Sequence, residues 1–176
     1  MPGATHIAFL RGINVGGKRS LPMKRLVAIF EAAGGEDVRT YIQSGNVVFR
    51  ARRAAGLAER VTEDIEEQFG FQVPVVLRTA GELGAVPGAC PFPASEPKAL
   101  HVAFLAERPP DSKIALLDPS RSPGDRFAVI GKDIHLCLPN GVGKSKLTNE
   151  YFDRALGTTS TLRNWRTVLE LIRLCE

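Results

Sequence analysis

The chain reads as an α+β protein of two antiparallel βαββαβ halves, the second modified by a helix at its C-terminus. Three observations predict this. Short apolar runs alternate with helical periodicities in the order β-α-β-β-α-β over residues 1–80, a Pro/Gly-rich stretch interrupts them at 81–97, and the same order restarts over 98–176. With 176 residues, of which 44% are hydrophobic and 24% charged, the chain is long enough to bury a core without disulfides and too apolar to stay disordered.

In the first half, His6 to Leu10 is a short apolar strand, followed by the glycine-rich loop Gly12-Ile13-Asn14-Val15-Gly16-Gly17-Lys18. Ser20 is placed to cap a helix with Pro22 in its first turn. The apolar positions Met23, Leu26, Val27, Phe30 and Ala33 give that helix one buried face until Gly34-Gly35 stops it. Val38–Ile42 and Val47–Arg50 flank Ser44-Gly45-Asn46, which predicts a hairpin. Leu57, Val61, Ile65 and Phe69 repeat every four residues up to Gly70, so a second helix follows, and Phe71–Arg78, with Pro74 inside it, suits an edge strand.

In the 81–97 connector, Thr79 and Glu82 can box a short helix, and the density of prolines forbids a long one. The second half begins with a strand at Leu100–Ala106 and a short helix at Asp111–Leu117. The pair Phe127–Ile130 and Ile134–Leu138 turns at Gly131-Lys132-Asp133. A second glycine-rich loop, Pro139 to Lys144, leads to a helix capped by Ser145 and running through Leu147, Tyr151 and Phe152 to Gly157. A last helix carries Trp165, Val168, Leu169 and Ile172. On this reading the closing strand of the second half is missing, and no residue-level repetition links the halves.

Lys+Arg 23 against Asp+Glu 19 gives a net charge of +4, divided evenly at +2 on either side of Gly88. That balance admits anionic partners but provides no basic tail, so nucleic acid is expected to bind weakly and without sequence preference. No apolar run reaches the roughly 18 residues a bilayer demands, and no signal-peptide pattern opens the chain; a cytosolic protein that contacts no membrane is expected. Cys90, Cys137 and Cys175 are too scattered for a disulfide framework and read as free thiols. Nothing in the sequence calls for a cofactor or a metal, and oligomeric state is left open.

Gly141-Val142-Gly143-Lys144-Ser145 ends like a phosphate-binding P-loop, but Leu138 stands where that motif's first glycine belongs, so a glycine turn is the simpler reading. A second signal concerns charge. Helix N-termini favour Asp or Glu by about 0.3–1 kcal/mol each, yet the predicted starts here carry Lys18 and Arg19, Lys144 and Lys146, and Arg163 and Arg166 around Asn164. Cations at the positive ends of helices point to an anion held by side chains and amides together. The candidate ligand-binding residues are therefore Arg11, Gly12, Asn14, Gly16, Gly17, Lys18, Asn46, Lys144, Ser145, Lys146, Arg163, Asn164 and Arg166. The expected ligand is a phosphate- or carboxylate-bearing small molecule, nucleotide-like. Weak single-stranded nucleic-acid binding and an enzyme acting on a phosphorylated metabolite are the alternatives. His6, His101 and His135 lie alone in predicted strands and read as packing residues; no catalytic base is identified. An RNA-recognition surface would need stacking rings where Asn46 and Val48 stand.

Leu10-Arg11-Gly12-Ile13-Asn14-Val15-Gly16-Gly17-Lys18, joined to Tyr41-Ile42-Gln43-Ser44-Gly45-Asn46-Val47-Val48-Phe49, resembles the bacterial domain-of-unknown-function family 1697. Lys146-Leu147-Thr148-Asn149 with Phe152, and Thr161-Leu162-Arg163-Asn164-Trp165 before Thr167-Val168, are similar to that family's closing signature. The resemblance implies a cytosolic α+β protein of two ferredoxin-related halves and carries over no activity, cofactor or catalytic residue.

Overall fold

The computed structural model describes residues 3–176. The chain divides into two compact units, residues 1–84 with Leu171–Glu176, and residues 85–170.

The first unit runs β1 (Ala4–Leu10), α1 (Met23–Ala32), β2 (Glu36–Tyr41), β3 (Asn46–Ala51), α2 (Leu57–Phe69), β4 (Val75–Thr79) and the single turn α3 (Ala80–Gly84). Its strands form one antiparallel sheet in the order β2-β3-β1-β4, the ferredoxin-like arrangement, with β4 at an edge as Pro74 foretold. Alternation puts Ala8, Leu10, Val47, Phe49 and Ala51 on one face, where they pack with Leu26, Ile29 and Phe30 of α1 and Leu57, Val61 and Ile65 of α2. Thr79 and Glu82 make the predicted box: Glu82 N donates to Thr79 Oγ1 at 3.1 Å and Thr79 N to Glu82 Oε2 at 2.9 Å.

The second unit carries α4 (Val86–Ala89), β5 (Leu100–Leu105), α5 (Asp111–Ile114), β6 (Arg126–Ile130), β7 (Asp133–Cys137), α6 (Asn149–Leu156), β8 (Ser160–Asn164) and the start of α7 (Trp165–Leu174). Its sheet order, β6-β7-β5-β8, is that of the first unit repeated. The closing strand is therefore present, contrary to the sequence reading. Ser160-Thr161-Leu162-Arg163-Asn164 is poor in apolar residues and runs straight into α7, so it reads as the approach to a helix. Pairing with β5 from His101↔Asn164 to Leu105↔Ser160 makes it a strand.

Residue-level repetition is present as well. His6-Ile7-Ala8-Phe9-Leu10 in β1 matches His101-Val102-Ala103-Phe104-Leu105 in β5, and Leu77-Arg78-Thr79 in β4 matches Leu162-Arg163-Asn164 in β8. The registers agree: Ile7 faces Arg78 as Val102 faces Arg163. Both arginines are buried, and each donates from Nη1 to the preceding carbonyl, Leu77 O or Leu162 O, at 2.9 Å. The offset is 95 residues for the histidines and 85 for the arginines, so no single period exposes the repeat.

Two expected caps move. Pro22 holds Leu21 in extended backbone, so α1 cannot begin at Ser20; Pro22 itself is the N-cap, its carbonyl accepting from Arg25 N and Leu26 N. Ser145 Oγ accepts from Leu147 N in a local turn, while Thr148 caps α6 by accepting from Tyr151 N at 3.2 Å.

The histidines pack as expected. His6 stacks on Phe49, and His135 is buried on β7 with neither ring nitrogen hydrogen-bonded among the described residues. Burial holds the His135 imidazole below its ordinary value, opposed by the charge of Asp133; burial does the same to His101, opposed by the hydrogen bond in which the Ala99 carbonyl accepts from its ring. The folded state thus refuses protons that the unfolded chain accepts below about pH 6.5. Stability should be full above that pH and fall as pH drops through it towards the folded-state values. Urea midpoints at pH 7.5 and 5.5 measure the fall, and His135→Leu should shrink it.

Candidate functional site

The glycine-rich loop after β1 is a miniature hairpin. Val15 and Lys18 form an antiparallel bridge, Lys18 N donates to Val15 O at 3.0 Å, and Asn14 N to Arg19 O at 3.0 Å. Between them Gly16 and Gly17 both have positive φ, 59° and 73°, the requirement of a type I′ turn. These glycines serve a turn that projects outward, and nothing lies within 4 Å of the Cβ either would carry.

Asn14 fastens this hairpin to the β2–β3 turn. Its Nδ2 donates to Leu21 O at 3.0 Å and Gln43 O at 2.9 Å, and its Oδ1 accepts from Leu21 N at 2.8 Å. Asn46, fully buried, donates from Nδ2 to Tyr41 O at 3.1 Å and Ser44 Oγ at 3.2 Å, bracing the same turn from below. At Gly45 a Cβ would sit 2.8 Å from the Leu10 Cβ, so only glycine lets the turn lie against β1. The cluster also holds three non-glycine residues at positive φ, Asn14 at 54°, Arg19 at 51° and Ile42 at 49°. For β-branched Ile42 that conformation is strained, and strain of this kind gathers at functional loops.

The structure therefore brings together Arg11, Gly12, Asn14, Gly16, Gly17, Lys18 and Asn46, with divided roles. Asn14 and Asn46 spend their amides on the scaffold. Arg19 donates from Nη1 to Gln72 O at 3.1 Å, and Arg11 is half-buried with its amide on Pro74 O. The amides of Gly16 and Gly17 and the exposed Lys18 ammonium have no hydrogen-bond or ion-pair partner among the described residues. Two apolar side chains, Val15 and Ile42, stand exposed on the joined loops.

In the second unit, Lys144, Ser145 and Lys146 follow β7, while Asn164 ends β8 and Arg166 follows it. The pairings Leu100↔Cys137 and His101↔Asn164 put these segments at one end of the sheet. Lys144, Lys146 and Arg166 are exposed. Asn164 caps α7, its Oδ1 accepting from Thr167 N at 2.8 Å. Arg163 does not belong to that helix start: it is a strand residue, 9% exposed, donating to Thr161 Oγ1 at 2.8 Å, and burial lowers its guanidinium to about 10. The two glycine-rich loops are not counterparts, since one follows the first strand of its unit and the other the third.

One feature escaped the sequence reading. A cleft of about 310 Å³ in the first unit is lined by Thr5, Arg39, Arg50, Asp37 and Cys175. Within it Arg50 pairs with Asp37 at 3.5 Å, and Arg39 Nη2 donates to Leu174 O at 2.8 Å. Burial raises the Cys175 thiol, with Arg39 pulling the other way. No local signal could reveal it, because Arg39 and Leu174 are 135 positions apart. Among the described residues no group of three or more His, Cys, Asp or Glu could hold a metal ion, and no helix is long and apolar enough to cross a membrane.

The family model described as "Protein of unknown function (DUF1697)" matches residues 4–135. The chain belongs to the DUF1697 family. The matched span takes in the whole loop cluster around Asn14 and ends before Lys144, so the second-unit candidates lie beyond what the DUF1697 model covers. No curated protein matches the chain. Among solved structures, "conserved bacterial protein SP0830 from Streptococcus pneumoniae" aligns with a TM-score of 0.71 at 20% identity, covering 98% of this chain and 99% of that one. That likeness shows a shared fold of two such halves.

Proposed function

We propose that this DUF1697 protein binds a phosphate- or carboxylate-bearing small molecule, nucleotide-like, at the loops joined by Asn14. The observation that carries the reading is the donor set at the hairpin tip: two successive glycine amides and an ammonium without acceptors among the described residues, on a turn that side-chain hydrogen bonds hold in place. Such a group of donors suits an oxyanion. Exposed Val15 and Ile42 offer apolar contact to the body of the same ligand, which favours a nucleotide over a bare anion. Lys144, Lys146 and Arg166 form a separate set in the second unit, which the same experiment tests by itself.

A melting screen of nucleotides and phosphorylated metabolites should give at least one that raises Tm. Lys18→Ala should abolish the rise, because stabilisation follows ligand occupancy, while Lys144→Ala should leave it intact. The reverse pattern would move the site to the second unit. A labelled oligonucleotide tests the rival reading: submicromolar affinity with no small-molecule hit, weakening with salt at a slope of about −0.7 per phosphate, would favour single-stranded nucleic acid.

A further inference from the structure

The four sheet edges differ in how they are protected. Edge strand β2 has a register irregularity between Glu36 and Arg39, with Asp37 at a φ of 50°, and it carries charges along its length. β4 follows Pro74 and buries Arg78, and β8 buries Ser160, Thr161 and Arg163. β6 has none of these devices. Its residues Arg126-Phe127-Ala128-Val129-Ile130 are regular and contain no proline, and after Arg126 they carry no charge; three are half-buried and Ile130 is 39% exposed. Natural sheets rarely leave such an edge without a partner.

The backbone shows what that partner must supply. β6 and β7 are joined by the two-residue turn Gly131-Lys132, with positive φ at Gly131 alone, the type II′ pattern. A two-residue hairpin closes on a hydrogen-bonded pair, here Ile130↔Asp133. Ala128 and Arg126 therefore bond inward to β7, while the N–H and C=O of Phe127 and Val129 point away from the sheet. Among the described residues those outward groups meet no backbone partner.

We propose that β6 pairs antiparallel with β6 of a second copy of this chain about a two-fold axis at Ala128. The symmetry selects the register. In an antiparallel pair, opposed residues share a face, so partners must have the same parity. Centring on Ala128 sets Phe127 against Val129 of the other copy twice, and these are the residues with outward groups, so four backbone hydrogen bonds form. The apolar side chains that pack with the second unit's core, Phe127 and Val129, then continue that layer across the axis. Charges agree as well. Arg126 faces Ile130, so the two guanidinium groups do not meet; each is held on its own sheet by Ser95 Oγ at 3.2 Å and over the Phe92 ring at 4.8 Å. Asp125 comes within one residue of the position opposite Lys132 of the second copy. One five-residue pairing falls short of the roughly 1,200 Å² of a stable interface, so the dimer forms and dissociates with concentration.

Sedimentation of the full chain between about 5 and 500 µM should show a monomer–dimer equilibrium, and Ile130→Lys should raise its dissociation constant about tenfold by charging the edge. A register test accompanies it. Residues opposed across the axis have Cα atoms about 4.5 Å apart, within disulfide reach, so diamide should link Ala128→Cys chains at least about tenfold faster than Leu116→Cys chains. A wild-type chain that stays monomeric at the highest concentration overturns the proposal. So does a dimer indifferent to Ile130→Lys, or equal cross-linking at positions 116 and 128.

Discussion

Replacing Asn14 with alanine should cost about 2–4 kcal/mol of folding stability, from three lost hydrogen bonds at about 0.5–1.5 kcal/mol each. The substitution removes both donations from Nδ2 and the acceptance by Oδ1, and it leaves a residue at a φ of 54° without the local bonding that makes asparagine tolerable there. Asn14→Asp keeps the acceptor for Leu21 N but sets a carboxylate oxygen against the carbonyls of Leu21 and Gln43, so its loss should be at least that of alanine. Urea denaturation measures both. A loss below about 0.5 kcal/mol for alanine, within the range of ordinary surface changes, would mean that Asn14 does not fasten the hairpin to the β2–β3 turn.

Arg78→Ala should be of comparable size, about 2–4 kcal/mol, because it empties a large buried volume. Arg78 is 2% exposed, and its guanidinium serves Leu77 O. Arg78→Met fills most of the space without the bonds and should recover part of the loss. The repeat makes a sharper statement, since Arg163 occupies the same register in β8 and should show the same ordering of alanine below methionine below wild type. A neutral Arg78→Ala would show that its burial is incidental.

What was legible before the structure follows from how local each signal is. α2 could be read because Leu57, Val61 and Ile65 repeat along a single helix, and the Thr79–Glu82 box because its partners stand three residues apart. β8 was hidden because Ser160, Thr161 and Asn164 carry no apolar alternation; only pairing with β5, some 60 residues earlier, makes them a strand. Arg163 was misplaced for the same reason. The candidate loops were legible as glycine-rich and cationic, but the division of labour within them was not. Asn14 looks from the sequence like a ligand contact, and only its bond to Gln43 O, 29 positions away, marks it as a brace.

The central claim is that the tip of the Val15–Lys18 hairpin, together with the turn that Asn14 ties to it, receives an anion. Amide chemical shifts followed during titration with inorganic phosphate, and then with the best nucleotide from the melting screen, test it most directly. The predicted result is saturable shifts centred on Gly16, Gly17 and Lys18, extending to Gln43 and Ser44 for the nucleotide and lost in Lys18→Ala. Saturable shifts confined to residues elsewhere, or none at the hairpin tip at any concentration of either ligand, would contradict it.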